Sequence, residues 1–319
     1  MQPIQETVAP DEAVVTAEFI AFLKAASARR HPSGGMPRFN QGRAAGCVDA
    51  ELTVQDDLPP ELRVGIFARP NAYRCRIRFA NATSQSDRER DVRGMSIKVL
   101  DVAGDNLTPG QSAQDFILNS HPVMMVGHTR SFLQLLEAVD AGGVRPALFF
   151  LAHPQAAAVA LSSRRHATSH LEISYWSTTP YLFGAGRAVK YVVRPALPRT
   201  TPLPNPLTDH YLRERLTAHL AREEARFDFF VQFHVDPRKT PIEDASVEWR
   251  EQDSPHRRVA GIRIPAQRID DAAEAPSCEG LSFNPWHALP DHRPLGDFNR
   301  ARRAIYAAMA AFRSERVRA

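Results

Sequence analysis

Arg302 and Tyr306 stand four residues apart in an alanine-rich stretch that reads as helix, so the guanidinium and the phenol lie one above the other on the same face. An arginine held there favours the tyrosinate over the phenol. A tyrosinate is among the few side chains that ligate haem iron. The same pair on such a helix also has a purely structural reading, and it gains meaning only beside the rest of the chain. Other chemistry has less behind it. His31, His153, His166, His170 and His210 show no HExxH or other paired ligand spacing, so a zinc site has no motif. No GxGxxG follows a strand, and there is neither a Walker-type phosphate loop nor a GxSxG, which leaves nucleotide and serine-hydrolase chemistry without a signature.

The elements that must position the pair can be read from periodicity. Asp297 to Arg316 is helical, with Phe298, Ala301, Ile305, Ala308, Met309 and Phe312 on its apolar face and arginines towards its end. Residues Pro10 to Arg30 form a second amphipathic helix, which Asp11 can cap and whose stripe is Val14, Val15, Phe19, Phe22 and Leu23. The segment His31 to Pro37 is a hinge rich in Gly and Pro. Beyond it the period changes to two. Arg74, Arg76 and Arg78 alternate with Cys75, Ile77 and Phe79 in a strand over Ala72–Phe79. Further strands are expected over Ser96–Val102, Ala188–Arg194, Phe227–Val235 and Arg258–Ile264, with helices over Thr129–Val139 and Thr208–Arg226. Strands, mixed elements and a terminal helix imply an α+β fold. The division expected is a helical arm over residues 1–34 and one domain over 35–319.

Composition narrows the classes. Of 319 residues, 43% are hydrophobic and 24% charged, which is globular composition. No run approaches the roughly 18 apolar residues of a spanning helix, since His153, Pro154 and Gln155 interrupt the nearest one, Ala147–Leu161. The N-terminus lacks a basic segment followed by an apolar core. Three widely spaced cysteines, Cys47, Cys75 and Cys278, fit neither a disulfide framework nor a CxxC metal site, and a reducing cytoplasm is the expected compartment. The net charge is +4, and only Lys24, Lys98, Lys190 and Lys239 are lysines, so the basic side chains are overwhelmingly arginine. Arg300, Arg302, Arg303, Arg313, Arg316 and Arg318 make the terminal helix basic. Its apolar stripe and the lack of interleaved aromatics on a polar face argue against nucleic acid as a partner.

Several blocks, in order, resemble haem catalases. Arg38-Phe-Asn-Gln41-Gly-Arg-Ala-Ala-Gly46 resembles that family's R-x-x-H segment with its following small and basic run. Arg78-Phe79-Ala80-Asn81 and Asp91-Val-Arg-Gly-Met-Ser-Ile-Lys98 are similar to its R-F-S/A and D-P-R-G-F-A-V-K blocks. Asp115-Phe-Ile-Leu-Asn119-Ser-His-Pro122 resembles D-L-V-G-N-N-T-P, and Arg302-Arg-Ala-Ile-Tyr306 resembles the R-x-x-x-Y of the proximal ligand. The match runs from Arg38 to Tyr306 and is nearest to the short catalase-related group, which includes allene oxide synthase-like enzymes. It implies an antiparallel β-barrel carrying haem b, with helices around it. It also implies Tyr306 as iron ligand with Arg302 as its cation, Arg38 and Arg78 on the haem propionates, Asn119 as the distal amide, and Phe132 with Val123 or Met124 along the distal pocket. A homo-oligomer is compatible with it.

The departure lies at Gln41, where the family has its distal histidine. An imidazole can take a proton from one peroxide oxygen and deliver it to the other; a glutamine amide only donates and accepts hydrogen bonds. His121, two residues past Asn119, would share its face on an extended segment and is the candidate substitute. A second histidine of the family, in a Y-G-S-H-T-F-K run, is replaced by Thr178 or Thr179. The expectation is therefore a haem-dependent oxidoreductase acting on hydrogen peroxide or on organic, fatty-acid hydroperoxides, with weak dismutation of the former. The alternative is a haem-binding protein of the same fold without catalysis.

Overall fold

A computed structural model describes residues 4–31, 38–269 and 280–318. The Gly/Pro-rich hinge, apart from His31, and Cys278 lie outside the described residues. The chain forms β1 (Ala44–Val54), β2 (Ala72–Asn81), β3 (Arg93–Val99), β4 (Gln114–Asn119), β5 (Tyr175–Trp176), β6 (Tyr181–Leu182), β7 (Ala188–Pro195), β8 (Ala225–Phe233) and β9 (His256–Ile264). All pairings are antiparallel, in the order β5-β4-β3-β2-β1-β9-β8-β7-β6, and β5 also pairs with β7. That last pairing closes eight strands into a barrel and leaves β6 as a short addition beside β7. Closure removes the exposed edges that an open sheet of this size would present.

Period-two alternation decides which side chains enter the barrel. Val48, Leu52, Ile77, Phe79, Met95, Ile97, Phe116, Leu118, Tyr191, Phe227 and Phe229 are buried in one contiguous core. Their strand neighbours turn outward, as the pair Arg76–Asp49 across β1 and β2 shows, with its N–O distance of 2.7 Å. The barrel interior is therefore filled by packed side chains.

Six helices are described: α1 (Glu12–Arg30), α2 (Thr129–Ala141), α3 (Arg145–Ala152), α4 (Pro154–Ser163), α5 (Tyr211–Leu220) and α6 (Asp297–Arg318). α1, α2 and α6 share a core of Phe19, Leu23, Leu133, Ala301, Ile305 and Met309. Arg300 of α6 ties this layer to the N-terminal segment, pairing with Glu6, Glu12 and Glu243 at 2.8, 2.8 and 2.9 Å.

Several expectations need correction. The helix read over Thr208–Arg226 stops at Leu220, because Ala225, Phe227, Phe229 and Val231 alternate into the barrel and claim that stretch for β8. The strand read over Ser96–Val102 runs over Arg93–Val99 instead. Asp11 makes no side-chain cap; its carboxylate accepts from Arg130 at 2.6 Å. Cys47 is disulfide-bonded, contrary to the expectation drawn from cysteine spacing. Cys75 is a free buried thiol whose pKa burial pushes up to about 12.

Candidate active site

On β2, β3 and β4, the face turned away from the barrel core carries two register rows. Ala80, Gly94 and Asn119 form one, and Arg78, Ser96 and Ile117 form the next. Trp176 of β5 continues the first row beside Asn119. Two small residues followed by an amide make a shallow seat. Arg78, outward-facing yet 1% exposed, lies deep under what covers that wall.

Gln41 fills the seat. Its side chain lies across Gly94 so closely that a Cβ at that position would overlap the amide. Its Nε2 donates to Asn119 Oδ1 at 3.2 Å, and the Ser96 hydroxyl approaches its Oε1 at 3.5 Å. The backbone at Gln41 is left-handed, with φ 54°, a conformation that costs a non-glycine residue about 1–2 kcal/mol. The Gln41 amide N–H, which donates to Ala82 O at 2.8 Å and Asn40 Oδ1 at 3.0 Å, holds it there. Strain retained at one side chain of a polar seat is the kind that functional sites carry.

A second strained residue serves the helix side. Thr178 has φ 59°, and the Thr179 N–H donates to Ser177 O at 2.6 Å, which makes a tight γ-turn around a β-branched residue. The turn aims Thr179 at α6. Arg302 Nη1 donates to Thr179 Oγ1 at 3.0 Å and to Asn299 Oδ1 at 3.1 Å, while Thr179 Oγ1 donates to Asn299 Oδ1 at 3.1 Å. Of the two threonines considered as the replacement for a histidine, Thr179 is the one that meets Arg302. Tyr306, one turn further on, is half-buried, and its hydroxyl makes no protein hydrogen bond among the described residues.

The structure also places the remaining candidates. Phe132 packs on the α1–α2–α6 core with Tyr306, edge-to-face with Phe19 at 6.0 Å and with Phe298 at 5.7 Å. Arg38 donates to the Leu281 carbonyl at 2.5 Å. His121 is not on a continuing strand: β4 ends at Asn119 and bends follow, so the alternation that would align the two side chains stops. Burial lowers the His121 pKa, and the charge of Arg165 lowers it further.

Residues that sequence reasoning missed include Gly94, Ser96, Trp176 and Asn299. Asn299 precedes Arg302 by three on one helix face, a signal that was available. The others depend on register. Below Ser96, Lys98 Nζ sits 2.7 and 2.8 Å from the two Asp115 oxygens, and His287 Nδ1 is 2.8 Å from Oδ2. This buried cluster anchors the segment after residue 283 to the wall, through Asn284 N–H on Asp115 as well. His170 and His292 are buried against barrel aromatics, and burial drives each pKa down to about 3. Lys190 lies away from the seat, over Trp249 at 5.0 Å, and burial lowers its pKa to about 7 against the pull of Asp244 and Glu248.

No family model matches the sequence, and no curated protein does. Solved structures do. A fungal catalase superposes with TM-score 0.69 at 15% identity over 98% of this chain and 66% of its own. A bacterial catalase gives 0.69 at 14% identity over 97% and 62%. Catalase A from Saccharomyces cerevisiae gives 0.70 at 14% identity over 98% and 67%. The chain thus spans about two thirds of the length of these catalases. An eight-stranded antiparallel barrel wrapped by helices, aligned over nearly the whole chain with three such structures, gives this protein a catalase-like fold.

Proposed function

We propose that this protein is a haem-dependent oxidoreductase of the catalase-like class, acting on organic hydroperoxides in preference to hydrogen peroxide. The observation that carries the reading is the Gln41–Asn119 amide pair seated over Gly94. The donor set fits haem b: a phenol whose hydroxyl makes no hydrogen bond among the described residues, one helical turn from a guanidinium, a deeply buried arginine on the wall, and aromatic side chains packed in the helical layer that holds the phenol. Tyr306 would hold the iron, with Arg302 as its neighbouring cation. Arg38 and Arg78 would hold the propionates, where a guanidinium fork suits a carboxylate. Phe132 would line the distal side.

Bound haem supplies the electrons for breaking an O–O bond. The protein's share is binding and proton control. With Gln41 Nε2 engaged on Asn119 Oδ1, the second Nε2 hydrogen and the Asn119 Nδ2 hydrogens remain as donors for a peroxide oxygen, so the pair orients an oxygen and stabilises negative charge on it. Neither amide can accept a proton and return it. General acid–base help is worth about 10² to 10⁴ in rate, and hydrogen peroxide dismutation depends on moving a proton between its two oxygens. A hydroperoxide whose conversion begins with O–O cleavage depends on this less, which favours the organic substrate. The same amide chemistry also favours a second reading, a haem-binding protein without turnover.

Absorbance spectra of haemin-loaded protein, before and after addition of hydrogen peroxide or a fatty-acid hydroperoxide, separate these. Stoichiometric haem with faster loss of the organic hydroperoxide supports the proposal. Bound haem that consumes neither leaves the binding protein, and absence of bound haem overturns both.

A further inference from the structure

Between Asp140 and Glu172 the chain carries no carboxylate; its permanent charges there are Arg145, Arg164 and Arg165. In a sequence with 36 acidic residues, that is a long one-signed stretch. α3 and α4 lie within it, and they bury little: Phe149 from α3, Ala156 and Ser163 from α4. Val144, Leu148 and Leu151 recur at helical spacing and are 71%, 59% and 79% exposed; Leu161 on α4 is 81% exposed.

These side chains stand on a firm base. Phe149 stacks on His153 at 4.2 Å and shares a core with Leu135, Ala156 and Phe298. The exposed stripe is the outer surface of packed helices. Isolated apolar side chains on a surface need no explanation, whereas a concentration of them on two adjoining helices marks a contact with a partner or a membrane. Charge selects between these. Arginines stand at the start of α3 and directly after α4, exposed, with no acidic residue among them. Leucine tips whose own helices bring arginines and no carboxylate match an anionic lipid surface, where hydrocarbon lies just beneath phosphates.

We propose that α3 and α4 form a docking surface for an anionic bilayer, with Leu148, Leu151 and Leu161 entering the acyl boundary and Arg145, Arg164 and Arg165 meeting lipid phosphates. It is a peripheral contact, for no described helix is long and apolar enough to span a membrane. The proposal stands on these two helices and is independent of the chemistry at Gln41.

The test is co-sedimentation of the full chain with vesicles of phosphatidylcholine alone and with about one-third phosphatidylglycerol. The wild type is expected to pellet with the anionic vesicles and to release as salt rises. A Leu148→Ser, Leu151→Ser, Leu161→Ser variant, altered only at exposed positions, should bind at least about tenfold more weakly with an unchanged thermal melt. An Arg145→Gln, Arg164→Gln, Arg165→Gln variant should lose the preference for phosphatidylglycerol. Wild-type protein that stays in the supernatant, or equal binding by the leucine variant, overturns the proposal. So does sedimentation equilibrium showing an oligomer that the leucine variant dissociates while no vesicles are bound, since the stripe would then be an interface between copies.

Discussion

Gln41 Nε2 and Asn119 Oδ1 meet at 3.2 Å, joining a residue just before the first barrel strand to the last residue of the fourth. They are 78 positions apart, and the contact exists because Gly94 between them has no side chain. Two amides with no base between them define what this seat can do: hold and polarise an oxygen, without carrying its proton.

Gln41→His restores a group that titrates near neutrality. Hydrogen peroxide consumption by the haem-loaded protein should rise by about 10² or more, measured by oxygen evolution. No gain would mean that the residue at position 41 does not face the reacting oxygen.

Gly94→Ala places a methyl group where the Gln41 amide lies. It should cost about 1–3 kcal/mol in urea unfolding and displace the glutamine. Hydroperoxide turnover should then fall to the level of Gln41→Ala, with haem retained. Retained turnover would detach the amide seat from activity.

Tyr306→Phe removes a hydroxyl with no hydrogen bond among the described residues, so the thermal melt should hardly move. Haem affinity should drop by more than the about 100-fold typical of losing a supporting group around a metal, and the ferric spectrum should change. An unaltered spectrum would remove the tyrosine from the iron.

Thr179→Val deletes the oxygen that receives Arg302 Nη1 and bonds Asn299. Leaving those buried groups short of a partner should cost about 1–3 kcal/mol in a denaturant series. Thr179→Ser should recover most of it, because only the hydroxyl is used.

Acid should destabilise the fold through His170 and His292. Both have pKa values of about 3 in the barrel because burial disfavours the imidazolium, against about 6.5 when unfolded. A depressed value means that the unfolded chain binds the proton first. Their contribution is complete above about pH 6.5 and shrinks by about 1.4 kcal/mol per pH unit for each histidine between there and about pH 3. Urea midpoints from pH 7.5 to 5 should fall accordingly, and His292→Gln should flatten the slope. A midpoint independent of pH would contradict the burial of both imidazoles.

The amino-acid sequence alone shows much of the architecture. Ile77, Phe79 and their alternating arginines mark β2, and Phe298, Ala301, Ile305 and Met309 mark the inner face of α6, because each pattern is local and its period is set by the backbone. Resemblance in ordered blocks identified the barrel, which periodicity does not select. The site was legible only as a roll of residues. That Gln41 rests on Gly94 follows from strand register, and that Thr179 rather than Thr178 meets Arg302 follows from a γ-turn. The end of β4 at Asn119, which withdraws His121 from the shared face, is likewise set by what pairs with that strand. A one-residue change in register or turn would have exchanged every one of these partners, and neither is encoded in the spacing of the residues themselves.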